Sequence, residues 1–76
     1  MNIALQKVES SNVSAYGYDA LSRTLAIEFK SGGVYHYAGV PVDVYARLVD
    51  AKSIGKFIGA EIRGKFKHTR IEKEAL

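Results

Sequence analysis

The sequence predicts a small α+β domain, an antiparallel β-meander of three to four strands packed on one face by one or two C-terminal helices. Three observations lead there. The chain has 76 residues and no Cys, too few residues for two cores and no means of stapling them. Its apolar and aromatic residues recur in steps of two over residues 7–37, and after Val40-Pro41 the step changes to three and four. A content of 47% hydrophobic and 25% charged residues, with one Pro, is that of a folded chain rather than a disordered one.

Four runs have strand character, residues 7–10, 13–19, 24–30 and 34–37, each bounded by turn residues. In the third, Leu25, Ile27 and Phe29 alternate with Thr24, Ala26, Glu28 and Lys30, the pattern of a sheet with one buried and one wet face. A four-residue loop over 20–23 pairs Asp19 with Thr24, Tyr18 with Leu25 and Tyr16 with Ile27, which makes both tyrosines structural. Gly17 then faces the other way and leaves a gap that a neighbour can enter. Ser31-Gly32-Gly33 supplies the positive φ of a tight hairpin turn into the fourth run.

Pro41 suits the first turn of a helix and excludes Val40 from it, so a helix is expected from Pro41 or Val42. Tyr45, Leu48 and Val49 form its apolar face, and Asp43 with Arg47 supports the other. Ser53 can cap a second helix whose stripe is Ile54, Phe57, Ile58, Ile62 and Phe66. Gly55, Gly59 and Gly64 each weaken that helix by about 1 kcal/mol relative to Ala. Short or broken pieces are therefore expected, with one glycine ending a turn, and the spacing of Gly55 and Gly59 reads as tight packing against the sheet. Residues 68–76 carry little apolar surface and are expected as a frayed helical extension or a disordered tail.

Charge is distributed unevenly. Residues 1–51 hold four Lys/Arg and five Asp/Glu, and residues 52–76 hold seven and three, so the net charge of +3 is concentrated near the C-terminus. A pI of about 9.3 with a one-sided basic segment is the footprint of a nucleic-acid binder, and equally of a domain kept soluble by its charge. The first fifteen residues include Lys7 and Glu9 and lack an apolar signal core, and no run is long and apolar enough to span a bilayer. No membrane association is expected, and the cytoplasm is the expected compartment.

Val8-Glu9-Ser10-Ser11-Asn12-Val13, Gly17-Tyr18-Asp19, Leu25-Ala26-Ile27-Glu28-Phe29, Ser31-Gly32-Gly33-Val34-Tyr35-His36-Tyr37, Val40-Pro41, Tyr45 and Ser53-Ile54-Gly55-Lys56-Phe57 stand in a distinctive order and spacing. Together they resemble the KTSC domain, a module found at the C-terminus of some lysyl-tRNA synthetases and as stand-alone bacterial proteins. The resemblance covers residues 7–66 and implies a single domain with a core over about 7–66 and a basic tail over 67–76. It also implies an accessory role with RNA as ligand, through the module's attachment to a synthetase. Phe66 stands where the family pattern has Tyr, which removes a hydroxyl, and the basic tail lies outside the resemblance.

Tyr35 and Tyr37 share one face of the fourth strand. If Ser31-Gly32 is a two-residue turn, Glu28 pairs with Tyr35 and Ala26 with Tyr37, and both rings lie on the wet face, where aromatics beside positive charge stack RNA bases. If the loop is one residue longer or bulged, parity flips and both rings join the core with their hydroxyls at its rim. Lys52, Lys56, Arg63 and Lys67, extended by Arg70, would form one helical stripe for phosphates, or simply its solvated face. Two histidines, His36 and His68, without Cys or a spaced carboxylate pair make no metal site, and no cofactor is expected.

Catalytic motifs are absent: there is no nucleophile elbow, no phosphate-cradling loop ahead of a helix and no H-E-x-x-H. Ser10, Ser11 and Asp19 are turn or strand-end residues suited to local backbone bonds. The sequence is thus read as a non-catalytic RNA-binding module for tRNA or another structured RNA. Lys56, Arg63, Lys65 and Lys67 would hold phosphates, and Tyr35 and Tyr37 would stack bases or frame a pocket. The alternative is a protein-interaction module that binds a partner or itself through the exposed sheet face or an edge strand.

Overall fold

A computed structural model describes residues 3–71. Among these residues five strands form one antiparallel sheet in sequence order: β1 (Gln6–Lys7), β2 (Val13–Asp19), β3 (Thr24–Phe29), β4 (Val34–Tyr37) and β5 (His68–Ile71). Between β4 and β5 lie α1 (Val42–Val49) and α2 (Ile54–Phe57), and α2 continues into a π-helical turn (Ile58–Ile62). The helices cover one sheet face, where Leu48, Ile58 and Ile62 meet Val13, Leu25 and Ile27 in a common core. None of these six side chains is more than 1% exposed.

The β2–β3 register is the expected one, with Tyr16 opposite Ile27, Tyr18 opposite Leu25 and Asp19 opposite Thr24. Ser22 donates to the Asp19 carboxylate at 2.6 Å and helps to close the loop. Gly17 faces outward, and a Cβ there would collide with the carbonyl oxygen of Ala4. The segment before β1 therefore lies directly on the outer sheet face.

Between β3 and β4 the longer of the two loops that the sequence allows is formed. The Phe29 N–H donates to the Gly33 carbonyl and the Gly32 N–H to the Phe29 carbonyl, each at 2.9 Å, which leaves residues 30–32 as the loop. Gly32 takes φ +109°, a value that only glycine adopts readily. The added residue shifts the register by one: Ile27 opposes Tyr35 and Leu25 opposes Tyr37. Both tyrosines consequently share the core side of the sheet, not the outer side, and the outer side, expected to be wet, itself buries Ala15 and Ala26.

α1 begins at Val42 with Pro41 as N-cap, and Ser53 caps α2 by accepting from the Lys56 N–H. Val49 is 50% exposed, a correction to the expected face: Val44, Tyr45 and Leu48 point inward, and Val49 lies one step round from Leu48. Gly59 is also corrected, because a Cβ there would meet open space and the glycine mediates no close packing. Arg47 reaches Glu61 at 3.6 Å and lies over the Phe57 ring at 5.5 Å, linking α1 to the helical turns after it.

Residues 68–71, expected as a frayed extension or disordered tail, form the fifth strand instead. Three of the four side chains of β5 stay exposed, so the strand needs little apolar surface of its own. Its place comes from pairing with β4, Val34 opposite Ile71 through Tyr37 opposite His68. The rest of the expected tail, 72–76, lies outside the described residues. None of the described helices is long and apolar enough to cross a membrane.

Candidate nucleic-acid interface

The core face of the sheet extends past the cover of the helices at its β4–β5 end. There Phe29, Ser31, Tyr35, Tyr37, Arg63, Gly64 and His68 line a recess of ≈ 320 Å³, less open than the shallow recesses at β1 and on the outer sheet face. Register explains the gathering. Tyr35 and Tyr37 face inward because of the longer hairpin loop, and His68, opposite Tyr37 on β5, must share that face. Arg70 stands opposite Tyr35 and follows His68 along the same side.

The rings meet edge to face rather than in a stack. Phe29 and Tyr35 have centroids 5.7 Å apart at 75°, and Tyr35 and His68 5.7 Å apart at 62°. Tyr37 tilts against His68 at 43° and is only 3% exposed, so it forms the floor. Gly33 has a local purpose: a Cβ there would stand 2.9 Å from Cε1 of Tyr35, and its absence lets that ring lean back over the strand.

Arg63 reaches the recess because the helix ends just before it. The Arg63 N–H closes the π turn onto the Ile58 carbonyl at 2.9 Å, Arg63 itself is extended at φ −67° and ψ 130°, and Gly64 turns the chain at φ +80°. Burial pushes the Tyr37 phenol above its usual pKa, against the opposing pull of Arg63, and the phenol stays a donor. Among the described residues no Asp or Glu lines the recess. Its chemistry is that of aromatic walls with guanidinium and imidazole donors, suited to an anionic group carried on a flat ring.

The structure thus brings together Tyr35, Tyr37 and Arg63 from the predicted set. Lys56, Lys65 and Lys67 are exposed but do not line the recess: Lys56 belongs to α2, and Lys65 and Lys67 lie on the connection into β5. The expectation of one helical stripe is corrected, since the helix stops at Ile62 and the cations beyond it follow a turn and a strand. Sequence reasoning missed His68, Ser31, Phe29 and Gly64. The one available signal for His68 was the β-branched alternation of Thr69 and Ile71. Phe66 packs at the margin of the core.

A model of the KTSC domain matches residues 9–66. The chain belongs to the KTSC domain family. The crystal structure of a KTSC domain protein from Yersinia pestis is similar to it, with 37% identity and a TM-score of 0.90 over 93% of this chain and 100% of that one. A lysine–tRNA ligase of Trichormus variabilis is 40% identical over 67 residues, 88% of this chain and 12% of the ligase. A protein of Tsukamurella paurometabola is 38% identical over 63 residues, 83% of this chain and 94% of that protein. The KTSC domain therefore occurs both as a small part of a ligase and as nearly the whole of a small protein, and this chain spans only 12% of the ligase's length.

Proposed function

We propose that this KTSC domain is a non-catalytic RNA-binding accessory module, with tRNA or another structured RNA as ligand, acting in the cytoplasm. The observation that carries this reading is the recess, free of carboxylates among the described residues, in which Tyr35 and His68 meet beside Arg63. Lys56, Lys65 and Lys67 supply phosphate contacts that position RNA without reading its sequence. Tyr35 contacts a base, and Tyr37, buried at the floor, frames the recess. Similarity to a segment of lysine–tRNA ligases supports the same reading.

The test is fluorescence anisotropy with labelled tRNA and a single-stranded oligomer at two salt concentrations. It compares the wild type with a Lys56→Ala/Arg63→Ala/Lys67→Ala variant whose folding is checked by circular dichroism. Saturable binding that collapses in salt and in the folded variant is expected. No binding to either RNA at low salt overturns the reading and directs the search to protein partners, for which the outer side of the edge strand β5 is the candidate.

A further inference from the structure

We infer that the recess is a seat for one unpaired nucleotide, its base lying against the joined Tyr35 and His68 rings and its phosphate held by Arg63. The inference rests on the RNA reading for the source of the nucleotide and narrows what the site takes. Shape supports it. Bases stacked in succession need aromatic faces exposed side by side. Here Phe29, Tyr35 and His68 touch one another edge to face, with Tyr37 beneath them, so the cluster offers a flat guest one concave seat and no row of parallel faces.

Size agrees, because ≈ 320 Å³ is at the lower end of the range of about 300–1,000 Å³ for small-ligand sites. A duplex presents its bases paired and stacked, and cannot insert one without extruding it. Charge also agrees. Arg63 brings a permanent positive charge to the lining, and among the described residues no hydrogen bond or ion pair occupies its guanidinium. Arg70 beside Tyr35 extends the cationic rim, and the Ser31 hydroxyl offers a neutral donor and acceptor.

The chemistry recognised is a nucleoside monophosphate, whether at an RNA end, in a single-stranded loop or free in solution. The experiment titrates the ¹⁵N-labelled full chain with adenosine monophosphate, inorganic phosphate, a single-stranded hexanucleotide and a blunt-ended RNA duplex. Selective shifts at the amides of Ser31, Tyr35, Gly64 and His68 are expected with the mononucleotide and the single strand, and not with the duplex. Phosphate alone is expected to move Gly64 and spare Tyr35. Arg63→Gln and Tyr35→Leu are each expected to weaken the mononucleotide by about tenfold. Arg63 is exposed, so its variant keeps the test informative even where Tyr35→Leu disturbs folding.

Tighter binding of the strand than of the mononucleotide assigns the seat to RNA, and equal binding assigns it to the free nucleotide. Salt-sensitive RNA binding whose shifts stay around Lys56, Lys65 and Lys67, unchanged by Tyr35→Leu, overturns the seat and leaves the RNA reading standing. Mononucleotide shifts in the recess without any RNA binding overturn the RNA reading and leave the seat. Silence with all four probes overturns both.

Discussion

The ring of Tyr18 lies flat on that of Tyr45, 8° from parallel with centroids 4.5 Å apart, while its hydroxyl donates to the carbonyl of Val40 at 2.5 Å. One strand residue thus holds both the entry to α1 and the helix itself. Tyr18→Phe keeps the stack and strands the Val40 carbonyl. It is expected to lower stability by about 1–2 kcal/mol in urea denaturation, with an unchanged m-value and unchanged RNA affinity.

Gly17→Ala forces the Ala4 carbonyl off the outer sheet face. Displacing a packed backbone segment is expected to cost about 1–3 kcal/mol. Hydrogen exchange should show faster exchange in β1 and at the Val8 N–H, which donates to the Ser14 carbonyl, with β3 and β4 retaining their protection relative to global unfolding.

Burial on the outer face lowers the pKa of His36 from its ordinary 6.5. The unfolded chain therefore takes up the proton first, and the contribution of His36 to stability is complete above about pH 6.5 and lost as pH falls toward its folded value. Thermal melts between neutral and mildly acidic pH should show this loss. It should be smaller in His36→Gln and persist in His68→Gln.

Four phosphate contacts, from Lys56, Arg63, Lys65 and Lys67, predict a log–log salt slope of about −2.8 for single-stranded RNA. A fourfold rise in salt should then weaken binding about 50-fold. Lys65→Ala and Lys67→Ala should each flatten the slope by about 0.7, measured by anisotropy across a salt series. Slopes identical to wild type in both variants would remove those two residues from the contact set.

The β2–β3 hairpin was legible in the sequence because the alternation on both sides of residues 20–23 admits one good register. The β3–β4 hairpin was not, since Ser31-Gly32-Gly33 suits a loop of two or of three residues, and a single residue moves Tyr35 and Tyr37 from one face to the other. Arg63 was found as a cation but placed on a helix, because the end of that helix at Ile62 is set by a wide turn that buries Ile58 and Ile62 together. His68 could not be found from periodicity. Its strand exists through distant backbone pairing with β4, and among four mostly polar residues the alternation of Thr69 and Ile71 is too short a trace to reveal it.

Ile3 and Ala4 lie on Gly17 at the outer face of the sheet, and His68 beside Tyr37 lies at its core face. Whatever is joined ahead of Ile3 therefore approaches from one face, and the recess opens on the other. The sheet itself stands between the two, so an attachment on the outer side leaves the recess free.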